Sequence, residues 1–319
     1  AVMGQTAILT SEVDTFRSLS GLPTNTPHVV VATGGNAAFV SSADLTEAYL
    51  DVEWAGAVAR NATVYYVNAG TPNGVFNALA YAINPPLGSP LPLVPVLSIS
   101  YGNCENPSFG WPSAQLNSIE SQLQQASAQG QTVVGPAGDT GAADCEDPTA
   151  TSAVDGLSVD FPASSPYVTG VGGTMFNGAG SQSTTVDVCS GTCWSSVNNS
   201  FNGSAHMYIP EFVWNETLTN PNSPTVTNCT LGVNCVLAAG GGGSSKVFNK
   251  PAWQTVLPAD TMRDVPDISM GAGFVHDGYL ICASGQTPAD CTNGFRRSDT
   301  TLDVIGGTSA GAPTFAGMV

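Results

Sequence analysis

Ser309 lies in GGTSAGAPTFAGMV, residues 306–319. Gly-Thr-Ser followed by small residues and Ala-Pro is the pattern of a nucleophilic serine at the start of a helix. A serine hydroxyl attacks poorly until a neighbouring base takes its proton. Histidine is the usual base, and the chain has His28, His206 and His276. His28 follows a proline, His206 lies in a Gly/Ser/Asn-rich stretch, and His276 precedes Asp-Gly, a turn signal. None stands in an HGTH context, and all three read as loop or strand-edge residues.

Carboxylates are the alternative. In LTEAYLDVEWAGAVA, residues 45–59, Glu47 and Asp51 are four apart and share one helix face. The flanking residues are apolar on all sides, which points to a buried helix. Two like charges there are costly unless they share a proton. Desolvation and the neighbouring acid raise the pKa, and a glutamate with a pKa near the working pH is a competent general base. Glu53 falls on another face and reads as a structural or surface acid. Asp139 ends an apolar run in GPAGDTG, residues 135–141. Its plain reading is a turn-capping acid. Its functional reading is a neutral acid that donates a hydrogen bond to an oxyanion.

The elements that must position these groups are legible in outline. HVVVAT (28–33), TVYYVNA (63–69), VPVLSISYG (94–102) and TVVGPAGD (132–139) read as strands. Helical spacing runs through 45–59, 72–83 and 113–130, the last closing at Gly130. Alternation of this kind predicts an α/β fold with a parallel β-sheet flanked by helices on both faces. Residues 175–245 read as irregular loops and short strands pinned by disulfides. The GGGG run at 240–243 is flexible or makes close backbone turns, and no P-loop pattern follows it. VPDIS (265–269) and GYLIC (278–282) return to regular structure. One domain, 1–319, is the simplest organisation.

Composition narrows the function classes. Seven Lys and Arg stand against 24 Asp and Glu, a net charge of −17. With 10% charged residues, the surface must be covered largely by Ser, Thr, Asn, Gln and Gly. No basic stripe invites nucleic acid, and no run of 18 apolar residues offers a membrane span. The self-repulsion fades when carboxylates protonate, which suits an acid-tolerant extracellular protein. Eight cysteines, an even number, suit disulfides. Their spacings pair Cys189 with Cys193, Cys229 with Cys235 and Cys282 with Cys291, leaving Cys104 for Cys145. No CxxC pair supports zinc. Glycosylation sequons stand at Asn61, Asn198, Asn202, Asn215 and Asn228.

Taken together, these residues resemble the sedolisin family, the serine-carboxyl peptidases. The resemblance rests on Glu47-AYL-Asp51, SISYG at 98–102, PAGDTG at 136–141 and GGTSAGAP at 306–313, supported by PYVTGVGGT at 166–174, PAW at 251–253 and VPDIS. It implies a subtilisin-like fold, with Ser309 as nucleophile, Glu47 as general base and then acid, Asp51 orienting Glu47, and Asp139 as the oxyanion acid. It implies that Ser100, Tyr101 and Gly102 line the cleft and pair with substrate backbone. Peptides or unfolded proteins are the expected substrates of a secreted, monomeric enzyme working at acidic pH, in the medium or another acidic compartment. The family also has a propeptide and a calcium site. By this resemblance the calcium-binding segment lies beyond residue 319, no metal is expected within this chain, and the propeptide is not part of it. Two other readings compete: an inactive binding or inhibitory relative, and a glycosidase using Glu47 with Asp51. The second is disfavoured because glycosidase acids flank a sugar cleft from different elements.

Overall fold

Short apolar strands alternate with helices along the first half of the chain. The computed structural model describes all residues except 37, 71–73, 177–192, 194, 198, 201–202, 206, 218–235, 256–258, 275–277, 284–290, 292–293 and 297–301. The elements run β1 (Val2–Gly4), α1 (Thr10–Leu19), β2 (His28–Val31), α2 (Ser42–Val58), β3 (Tyr65–Asn68), α3 (Gly74–Ile83) and β4 (Val96–Ser98). They continue with β5 (Asn103–Cys104), α4 (Ser113–Ala128), β6 (Thr132–Pro136), β7 (Asp160–Phe161), β8 (Val168–Phe176) and β9 (Glu211–Val213). The last are β10 (Gly243–Asn249), β11 (Met262–Val265), β12 (Ile268–Gly271), β13 (Tyr279–Leu280), β14 (Val304–Ile305) and α5 (Thr308–Ala316).

The central sheet has the order β12-β8-β6-β4-β1-β3-β2, all parallel, with β9 antiparallel on β8. Alternate strand residues feed opposite layers. Met3, Val67 and Val133 join the core under α3 and α4 with Leu79, Leu97 and Leu123. Val2 and Tyr66 instead meet Val13 of α1 and Leu45, Ala48 and Val52 of α2. Val134 and Val171 meet Ala312 of α5. Burial on both faces explains why these strands read as continuous apolar runs.

β1 and α1 were not foreseen. β1 is three residues long and α1 mixes charged and apolar residues, so neither carries a strong periodic signal. The predicted strand over 94–102 is regular only at Val96–Ser98, after which the chain turns into the site. Within 175–245 the described residues hold the end of β8, β9 and the start of β10. The glycine run makes a close backbone approach: a Cβ on Gly241 would lie 1.9 Å from the Ala137 carbonyl oxygen.

Cys104 is joined to Cys145, and Cys282 to Cys291. Cys193 is buried and disulfide-bonded, whereas Cys189, Cys229 and Cys235 lie outside the described residues. Asn61 and Asn215 are exposed; Asn198, Asn202 and Asn228 lie outside the described residues. Among the described residues no helix is long and apolar enough to cross a membrane.

Candidate active site

Two helices on one face of the sheet bring the chemistry together. α2 begins at an N-cap: the Ser41 hydroxyl accepts the Asp44 N–H at 3.0 Å and donates to Asp44 Oδ2 at 2.5 Å. The helix is then buried on several sides, against the sheet through Leu45 and Ala48 and against α5 through Leu50. Glu47 and Asp51 ride on it one turn apart. Its far half is tied down by Trp54 Nε1, which donates to the Leu280 carbonyl at 3.0 Å, and by Glu53, whose Oε2 accepts the Cys282 N–H at 3.0 Å. Glu53 is 1% exposed, so it is a structural acid and not a surface one.

Ser309 is the second residue of α5, in the first turn, where backbone N–H groups lack intrahelical acceptors and the helix dipole favours negative charge. The Ser309 hydroxyl points at Glu47 Oε2, 3.4 Å away. Asp51 is fully buried, and its Oδ1 accepts the Ser100 hydroxyl at 2.6 Å. Asp51 Oδ2 and Glu47 Oε1 are both buried and have no hydrogen-bond partner. A direct contact between these two carboxyl groups needs one proton between them, and each of the two raises the other's affinity for it.

Asp139 approaches from the end of β6. Its Oδ1 accepts both the Thr308 N–H and the Thr308 hydroxyl, each at 2.8 Å. Its Oδ2 lies against Gly307, which has φ 110°, and a Cβ there would sit 2.6 Å from that oxygen. Only glycine accommodates both the left-handed backbone and the close approach.

Glu47, Asp139 and Ser309 share a cavity of about 440 Å³, lined also by Asp44, Ser100, Tyr101, Gly102, Asp144 and Asp160 among others, with no Lys or Arg among the lining residues; Asp51 is buried outside its lining. Burial, and then the charge of Asp139, raise the Glu47 pKa; hydrogen bonds from Ser309 and Ser100 oppose this. Burial, and then the charge of Glu47, hold Asp51 well above the ordinary carboxylate range. Asp139 opens onto the cavity, yet protein surrounds it closely enough that burial raises its pKa against the Thr308 hydrogen bonds. Such concentration of raised carboxyls is a mark of functional sites.

The structure thus gathers Glu47, Asp51, Asp139 and Ser309, with Ser100, Tyr101 and Gly102 lining the same cavity. Ser100 is oriented toward Asp51, and Tyr101 donates its hydroxyl to Asp44 Oδ1 at 3.0 Å. His28 stacks on Tyr65 at the sheet edge, away from the cavity. His206 and His276 lie outside the described residues. Sequence reasoning missed Asp44, Asp144, Asp160 and Thr308. Burial pushes Asp144 up to about 7, helped by the charges of Asp139 and Glu105, and holds Asp160 well above its ordinary value. Burial pushes Asp44 up too, but hydrogen bonds from Ser41, Gln5 and Tyr101 outweigh it and hold it low. Only the adjacency of Thr308 to Ser309 was a usable signal; the acids are scattered in sequence. Among the described residues no group of three or more His, Cys, Asp and Glu side chains is arranged to hold a metal ion.

A doubly covered parallel sheet with a helix-borne serine facing carboxyl groups defines a class: subtilisin-type architecture with acids in place of histidine. No protein-family model matches the chain. Kumamolisin of Bacillus sp. (strain MN-32) is 31% identical over 283 residues, 86% of this chain and 38% of that protein. Sedolisin of Pseudomonas sp. (strain 101) is 33% identical over 224 residues, 67% of this chain and 28% of that protein. Tripeptidyl-peptidase 1 of Macaca fascicularis is 25% identical over 286 residues, 86% of this chain and 38% of that protein. The chain therefore spans well under half the length of these curated relatives. The solved structure of Pseudomonas sedolisin, a serine-carboxyl proteinase complexed with pseudo-iodotyrostatin, superposes with a TM-score of 0.67 at 24% identity, covering 99% of this chain and 72% of that one. This chain belongs to the sedolisin family.

Proposed function

We propose that residues 1–319 form one catalytic domain of an acid-acting serine-carboxyl peptidase, secreted or held in an acidic compartment as a glycosylated monomer, away from membranes and nucleic acid. The observation that carries this reading is the Ser309 hydroxyl facing Glu47 at 3.4 Å with buried Asp51 behind it. Kinship with kumamolisin, sedolisin and tripeptidyl-peptidase 1 supports peptide bonds of peptides or unfolded proteins as the substrate. The family's propeptide and calcium are carried over as expectations, and no step below uses them.

In the first step Ser309 Oγ attacks the scissile carbonyl carbon while Glu47 Oε2 takes the hydroxyl proton. The proton shared by the acid pair moves toward Asp51 as Glu47 gains one, so charge does not build on one carboxylate. Protonated Asp139 donates to the oxyanion, and the Ser309 N–H at the start of α5 adds a second donor. Glu47 then protonates the leaving amine as the C–N bond breaks, leaving an acyl group on Ser309. Water, deprotonated by Glu47, hydrolyses the ester and restores the serine. Asp139 donates only when protonated, so turnover falls as the pH rises through its raised pKa.

The test is digestion of an unfolded protein from about pH 3 to about pH 8, with products read by mass spectrometry. Cleavage confined to acidic pH and lost in Ser309→Ala is expected. Cleavage that survives that substitution, or runs undiminished at about pH 8, overturns the mechanism.

A further inference from the structure

We infer that Ser100 is a positioning residue for this reaction: its hydroxyl fills Asp51 Oδ1 next to Glu47 and lies against the backbone carbonyl of Ser309. The inference rests on the serine-carboxyl reading above and departs from the expectation that Ser100 serves substrate backbone.

Ser100 Oγ lies 2.6 Å from Asp51 Oδ1 and 3.2 Å from the Ser309 carbonyl oxygen. A hydroxyl has one proton, and the shorter, charge-assisted contact to Asp51 takes it; the Ser309 carbonyl is the weaker second acceptor. That carbonyl is open for a reason written in the sequence. In an α-helix it would accept the N–H of residue 313, four positions on. Residue 313 is proline, inside α5, and has no N–H. The Ser309–Pro313 spacing therefore frees the nucleophile's own carbonyl for a side chain from another element, and Ser100, just past the end of β4, fills the place.

The consequence is where the shared proton can sit. Asp51 is fully buried, so no bulk water serves Oδ1. With Oδ1 filled by Ser100, Asp51 Oδ2 and Glu47 Oε1 are the buried oxygens of the pair left without a hydrogen-bond partner, and the shared proton is assigned to them. Glu47 then presents Oε2 to Ser309. Without the Ser100 hydroxyl, Oδ1 becomes a competing proton site and Asp51 is free to rotate. The other titratable groups facing this pair are Asp44 on the same helix, Tyr66 of β3 beneath it, Tyr101 beside Ser100, and Asp139 from the end of β6. None is a cation that could replace the Ser100 donor.

Two readouts test this. In the first, Ser100→Ala should lower kcat about tenfold to a hundredfold, with little change in KM. Losing a donor to the charged pair favours its protonated form, so the acidic limb of kcat/KM should move up by about one pH unit. Ser100→Thr, which keeps the hydroxyl, should restore both. A rise in KM with unchanged kcat and an unmoved limb would return Ser100 to substrate binding and overturn the inference. The second readout needs no turnover: infrared titration of the buried carboxyl C=O band, assigned by its loss in Asp51→Asn. The band should titrate at higher pH in Ser100→Ala, and an unshifted titration overturns the inference even if the peptidase reading stands. Conversely, a shifted band in a protein that cleaves nothing would sink the peptidase reading alone. If the alanine variant does not fold, Ser100→Cys, a weaker donor of similar size, should give a smaller shift in the same direction, and a wild-type titration there overturns it equally.

Discussion

Asp139 carries a requirement opposite to that of Glu47. Glu47 must lose its proton to act as base, whereas Asp139 must keep one to donate. Burial raises both, so the usable window opens where the Glu47–Asp51 pair has lost its first proton and closes where Asp139 loses its own. Asp139→Ala should lower kcat by about 10²–10³, the worth of one oxyanion donor. Asp139→Asn separates charge from hydrogen bonding, because the amide donates without a titrating proton. The expected result is a reduced rate whose alkaline limb is lost. A limb left at its wild-type position in a pH profile of kcat would show that another group sets it. At this scale Glu47, Asp51, Asp139 and Ser309 could be singled out in the sequence because their motifs are local, and the structure brings the four together. Sequence reading missed Asp144 and Asp160, which reach the cavity only through the loop after β6 and the pairing of β7 with β5.

Element geometry sets the distances. α5 starts at Gly307, where the positive φ and the contact with Asp139 coincide. Gly307→Ala should cost about 1–3 kcal/mol in backbone strain and also displace Asp139. Gly130 is a control: it has φ 79° and nothing within 4 Å of a new Cβ. Gly130→Ala should therefore lower Tm through backbone strain alone and keep full activity. Gly307→Ala should lower Tm further and abolish cleavage. Equal activity of the two variants in the digestion assay would contradict the role given to the α5 entry turn. α2 was legible as a buried helix because apolar residues surround its acids. Its anchoring through Glu53 and Trp54 to residues more than 220 positions away was not, since the partners are backbone groups without side-chain signatures.

At the scale of the whole molecule the charge balance is strongly acidic. Its net charge is −17, and burial raises the pKa of Asp51, Glu53, Glu105, Glu120, Asp144 and Asp160. For such groups the folded chain holds protons that the unfolded chain has already released. Below the unfolded value of 3.8 for Asp144 the two states bind alike; as pH rises toward its folded value of about 7, the folded state loses ground. Unpaired negative charge adds to the same trend. Calorimetry should show Tm falling between about pH 4 and about pH 7. A Tm that climbs across this interval would mean that these carboxyls are ionised in the fold at little cost.

The sequence by itself determined the chemistry available: a serine at a helix start, a carboxyl pair one turn apart on an apolar helix, an acid at a strand end, and no histidine in a catalytic context. It also determined the α/β alternation, because strands buried on both faces must be apolar throughout. Tertiary structure alone decided which oxygens meet. The register of α2 against α5 puts Glu47 before Ser309, and the exit of β4 sends Ser100 to Asp51. The crossing of loop and strand brings Asp144 and Asp160 into the same cavity. These are contacts between residues up to 262 positions apart, fixed by packing of whole elements and not by any local pattern.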